Sequence, residues 1–90
     1  MDQADAFQKA NRIKVDLLRI DLDTCVTFVK TARESLDKET VARNRRNARQ
    51  AYDSVVHLMS AAVLTQIEEE NVKTKLEHLK NALADLDEAF

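Results

Sequence analysis

The sequence predicts an all-α fold: an antiparallel, up-down-up three-helix bundle with a long first helix. Three observations carry that prediction. Glycine and proline are both absent from the 90 residues, so the positive-φ turns of β-hairpins, phosphate-cradling loops and nucleophile elbows have no glycine to build on. The remaining composition is rich in helix formers, with 44% hydrophobic and 33% charged residues, a globular mix and not a disordered one. Apolar residues recur at alternating three- and four-residue spacings through most of the chain, the period of a helix face. This length suits a single domain spanning 1–90, with helices expected at about 5–35, 38–62 and 66–89.

The first helix is read from Val15, Leu18, Leu22, Cys25, Val29, Ala32 and Leu36, which fall along one seam. Leu17, Ile20, Val26 and Phe28 widen that seam and leave a narrow polar strip of Asp16, Arg19, Asp23, Thr27 and Lys30. A helix this apolar should touch two neighbours. Upstream, Phe7, Ala10 and Ile13 extend the pattern more thinly, so the helix is expected to start near Asp5 and fray there.

The break "SLDKET" offers Asp37 as N-cap and Glu39 as a first-turn anion for the second helix. That helix carries Val41, Ala48, Ala51, Tyr52, Val55, Leu58, Met59 and Ala62 on one face. In "TQIE", Thr65 precedes Glu68 by three, the capping-box spacing. Nothing else in "SAAVLTQ" stops a helix; without that box, helices two and three would merge into one rod and the molecule would have to dimerise. The third helix shows a clean apolar repeat through Val72, Leu76, Leu79, Leu83, Leu86 and Phe90, with Glu69–Lys73 and Lys73–Glu77 at i,i+4 outside it. At 1.5 Å per residue the first helix would be about 45 Å long and the others nearer 36 Å, leaving its N-terminal end overhanging.

Val41, Ala48, Tyr52 and Val55 stand at spacings that resemble the helix–turn–helix core of a tetratricopeptide repeat, a likeness covering residues 36–55. Leu36 occupies the position where that repeat has glycine. "LTQIEEENVKTKLEHL" is similar to the closing helix of small uncharacterised bacterial helical proteins built on one such hairpin. The resemblance implies a helical-hairpin scaffold and a protein-interaction role. It supplies one unit, whereas a solenoid needs several.

The candidate sites are few. Arg33, Lys38, Arg43, Arg45, Arg46 and Arg49 share residues 33–49 with Glu34, Asp37 and Glu39, six basic against three acidic residues. On a helix Arg45 and Arg49 form one row and Arg43 and Arg46 another, flanking Ala48 and Tyr52. Their stems can cover apolar surface while the heads stay wet, with Glu39–Arg43 and Arg49–Asp53 as helical pairs and the acidic third helix alongside. A nucleic-acid interface usually carries a larger excess or stacking aromatics, and the chain's net charge is −2. Cys25 sits inside the first seam and reads as a small hydrophobe with a raised pKa. Asp53–His57 and Thr74–His78 stand at i,i+4 but supply too few ligands for zinc. "DLDT", "EEE" and "DLDE" lack the ligand series of a calcium loop, and the last of these puts acids at a helix C-terminus, against the dipole.

The expected function is therefore a non-enzymatic structural or interaction module with no cofactor. It self-associates through a surplus apolar face on the first helix made of Val15, Leu18, Leu22, Val26 and Val29. Two alternatives are a nucleic-acid binder using Arg43, Arg45, Arg46 and Arg49, and a single-repeat adaptor gripping a peptide carboxylate with Arg33, Arg43 and Arg46. The expected partner is protein, self or other. Nucleic acid is disfavoured, and no membrane is expected because the longest mostly apolar stretch, "VVHLMSAAVL", is short and contains a histidine. With one cysteine and no signal-peptide pattern, the expected location is cytoplasmic.

Overall fold

The computed structural model describes residues 3–90. Three helices run in chain order, α1 (Gln3–Glu34), α2 (Lys38–Ala61) and α3 (Gln66–Asp85), and they pack up-down-up. α1 and α2 lie closest together, with α3 standing farther from both. The reason is the size of the facing side chains. Cys25 of α1 touches the Ala48 backbone of α2, and the two helices bury the small residues Ala32, Ala48 and Ala51, whereas α3 buries mainly the larger Val72, Leu76, Leu79 and Leu83. Interaxial distance follows side-chain bulk at the contact. The core is completed by Leu18, Leu22, Val29 and Val55.

The connections show how a chain without glycine turns. Asp37 caps α2 as expected, its carboxylate accepting from the Thr40 amide at 3.0 Å and the Thr40 hydroxyl at 2.6 Å. These bonds hold its pKa below the ordinary carboxylate value. The α2–α3 rod is interrupted between Ala62 and Thr65, whose backbones are extended (φ −99°, ψ 153° and φ −66°, ψ 161°) and need no left-handed residue. The capping box is complete. The Thr65 hydroxyl accepts from the Glu68 amide at 3.1 Å, and the Glu68 carboxylate accepts from the Thr65 amide at 3.0 Å.

α1 then holds this turn from the side. The Asn11 carboxamide donates to the Val63 carbonyl at 2.9 Å and accepts from the Val63 amide at 2.6 Å. Lys14 donates to the Ala61 carbonyl at 3.4 Å, placing a cation at a helix end that has no basic residue of its own. Arg19 reaches Glu68 on α3 at 3.4 Å. Residues 3–10 lie beyond the turn and are all exposed, so the expected overhang is present and helical from Gln3.

α3 ends earlier than its apolar repeat predicts, at Asp85, with Leu86 and Phe90 outside the helix. The stop is a Schellman motif with aspartate in place of glycine. Asp87 takes the left-handed conformation (φ 68°), its amide donates to the Ala84 carbonyl at 3.0 Å, and the Glu88 amide donates to the Leu83 carbonyl at 3.0 Å. Asp and Asn are the non-glycine residues that visit this region most readily. The acids of "DLDE" thus have a structural account: Asp87 makes the turn and Glu88 has left the helix.

Candidate functional site: three surfaces on a helical scaffold

The basic row of α2 faces the chain's own last residues. Arg45 donates to the Leu86 carbonyl at 3.0 Å and its Nε lies 3.3 Å from the Glu88 carboxylate. Arg49 reaches the same carboxylate at 3.6 Å, Asp53 at 3.0 Å, and donates to the Ala89 carbonyl. Its guanidinium also lies 4.0 Å from the centre of the Phe90 ring, with Lys80 at 5.4 Å. The Phe90 ring meets Tyr52 edge-on, centroids 5.2 Å apart. Burial beside Phe90 and the core pushes the Tyr52 phenol pKa up, against the opposing pull of Arg49. Arg33 pairs with Asp85 at 3.8 Å. Arg43 and Arg46 are exposed and point to solvent, away from this cluster. The five arginines of the sequence-predicted face therefore do not act together: two hold residues 86–90, one touches the end of α3, and two stand outside.

The expected self-association face is corrected in its residues. Leu18, Leu22 and Val29 are 1%, 4% and 4% exposed and belong to the core between the three helices. Val15 is half-buried; Val26 is 48% exposed as expected, but it lines the groove between α1 and α3 instead of the outer face. The apolar surplus is real, but it lies on the other side of α1. Ile13, Leu17 and Ile20 are 60%, 46% and 58% exposed, in line with exposed Ala6 and Ala10 at spacings of three and four, and Phe7 is 59% exposed on the overhang. At the same end Val63 and Ile67 are also exposed. The signal was present in the sequence, since Leu17 and Ile20 widen the seam. Which edge of a broad apolar face the partners cover depends on the neighbouring helices.

Because α3 stands off, a groove of about 510 Å³ opens between α1 and α3. Its floor is Leu22, Val26, Val29, Leu79 and Ala82, and Lys30, Lys75 and His78 stand on its rim with Asp23 and Glu34. Sequence reasoning missed this groove because it arises from unequal helix spacing, which no single-helix pattern records.

Cys25, Asp53, Thr74 and Asn44 have structural partners. The Cys25 thiol is fully buried and donates to the Ala48 carbonyl at 3.3 Å, and desolvation pushes its pKa up to about 11. Asp53 is engaged by Arg49, and the Thr74 hydroxyl donates to the Glu70 carbonyl. Asn44, buried although polar, donates to the Thr40 carbonyl at 2.8 Å, so its place in the α2 core face carries no unsatisfied donor. Among the described residues no three His, Cys, Asp or Glu side chains converge as metal ligands, and no helix is long and apolar enough to cross a membrane. Residues 38–55 of the tetratricopeptide-like stretch form one continuous helix, the first part of α2. Searches against protein-family models, curated proteins and solved structures returned no match.

Proposed function

We propose that the protein is a non-enzymatic helical interaction module that associates with a second copy of itself through the outer face of α1. The observation that carries this reading is the exposed row Ile13, Leu17 and Ile20, continued onto the overhang by the exposed Ala10 and Ala6. Single exposed apolar residues are ordinary, whereas a contiguous stripe on one helix usually marks an interface. The stripe is straight and lies on the longest element, opposite the seam of Leu18, Leu22, Cys25 and Val29 that packs into the bundle, so it faces away from the core and toward a second copy. A two-fold contact about Ile13 and Leu17 would bury the same patch on both copies.

The test is the mass in solution of the wild type and of an Ile13→Lys/Leu17→Lys variant, by native mass spectrometry and sedimentation. The wild type is expected to dimerise in the micromolar range, and the variant to remain monomeric with unchanged helicity. A wild type that stays monomeric into the high-micromolar range overturns the proposal.

A further inference from the structure

Glu88, Ala89 and Phe90 follow the last backbone tie to α3, which is the bond from the Glu88 amide to Leu83. Beyond that bond, what holds them is side chains of α2, with Lys80 of α3 at the ring. The contacts divide into the three kinds by which an extended peptide is recognised. The Glu88 carboxylate is shared by Arg45 and Arg49 at 3.3 and 3.6 Å. The backbone is read at two carbonyls, Leu86 by Arg45 and Ala89 by Arg49. The aromatic ring of Phe90 lies against the Arg49 guanidinium, the edge of Tyr52 and the ammonium of Lys80. Charge, main chain and side chain are thus all matched by residues of α2 and α3 that are held in place by regular helix.

We infer that Arg45, Arg49, Tyr52 and Lys80 form a binding site for an extended acidic–aromatic segment, Glu-x-Phe in pattern, on a partner protein, and that this chain's own residues 88–90 fill the site in cis. Arginine supplies both the charge-assisted contact to a carboxylate and the stacking surface for a ring. Three features make the occupant exchangeable. Residues 88–90 have no secondary structure. Phe90 remains 48% exposed while bound. Removing the segment uncovers donors that water can satisfy. A tethered competitor of this kind acts at an effective concentration on the order of millimolar, so an outside segment must outbid it or arrive in multivalent form. The inference does not depend on whether α1 self-associates, because the two surfaces use different residues.

The experiment uses a synthetic peptide of residues 84–90, acetylated and amidated so that no terminal charge contributes. It is titrated against the wild type, a Phe90→Ala variant, a Glu88→Ala/Phe90→Ala variant, and the latter with Arg49→Ala added, with backbone and Tyr52 ring resonances followed by NMR. Helicity of each variant is checked first by circular dichroism; the Phe90→Ala variant, which keeps the Glu88 ties, serves if the double variant does not fold. The released variants are expected to bind the peptide at least tenfold more tightly than the wild type, with shifts centred on Arg45, Arg49 and Tyr52. Addition of Arg49→Ala, or replacement of the peptide's phenylalanine by alanine, is expected to remove binding. No shift in the released variants at millimolar peptide, or equal affinity for wild type and released protein, overturns the inference.

Discussion

The Cys25 thiol donates to the Ala48 carbonyl across 3.3 Å, a side chain of α1 touching the backbone of α2. Such a contact exists only where the facing residues are small enough to let two helices approach. Ala48 is fully buried at that point, so it has no room to grow. Ala48→Leu is expected to cost about 1–3 kcal/mol by overpacking, read as a lower denaturation midpoint with an unchanged slope.

The same thiol predicts alkaline behaviour. Burial raises its pKa from 9.0 to about 11, so the folded state holds its proton more tightly than the unfolded chain. Stability from this group is complete below 9.0 and is lost as pH rises through about 11. The Tyr52 phenol is shifted in the same direction. Denaturation midpoints measured across the alkaline range should fall over this window, and fall less in a Cys25→Ala variant. A thiol reagent should label the native protein no faster than it unfolds.

The acid side is set by the two helix starts. The pKa values of Asp37 and Glu68 are both lowered, the first by the Thr40 hydroxyl and amide, the second by hydrogen bonds from Thr65 and then by Arg19. A depressed folded pKa contributes stability that is present above the unfolded value and lost as pH falls through the folded one. Asp37→Asn should therefore keep the cap while flattening part of the acid dependence. Thr65→Ala should cost about 1 kcal/mol near neutrality and flatten the other part. Acid melts that are unchanged in both variants would show that these caps do not set the low-pH limit.

The Arg49–Phe90 contact predicts a spectroscopic change larger than its energetic one. Partly buried ion pairs and a single cation–π contact contribute at most about 1 kcal/mol each, so Arg49→Ala, which removes several of them, should lower the melting temperature by several degrees without unfolding the bundle. It should, however, release the ring from Tyr52, and the Tyr52 ring resonances should return toward random-coil positions. High salt should produce part of the same shift in the wild type, by screening the Glu88 pairs.

Much of this architecture was legible in the residues, and the exceptions have physical causes. The break at Thr65 was readable because both halves of a capping box lie within four residues, and hydrogen bonds that local need no tertiary context. The core seam of Leu18, Leu22, Cys25, Val29 and Ala32 was readable from spacing. The end of α3 was not, since the apolar repeat runs on to Leu86 and Phe90 while the stop depends on Asp87 accepting a conformation usually given to glycine. The use of Arg45 and Arg49 could not be read either, because the carboxylate they share lies about forty positions away and outside any helix.

The neighbouring residues Leu17 and Leu18 separate folding from association. Leu18 is 1% exposed and Leu17 46%, although they differ by only one position on the same helix. Leu18→Ala removes packing from the centre of the bundle and should cost about 2–5 kcal/mol, enough to unfold a chain of this size if its stability is at the usual lower end. Leu17→Ala should leave the monomer within about 0.5 kcal/mol of the wild type, as surface substitutions do, while weakening dimerisation tenfold or more. Thermal melts at low concentration, where only the monomer contributes, measure the first effect. The concentration dependence of the melting temperature measures the second, since association raises it only in the dimerising protein. Equal losses of stability from the two substitutions would mean that Leu17 helps to hold the fold, and the outer stripe of α1 would then no longer argue for a second copy.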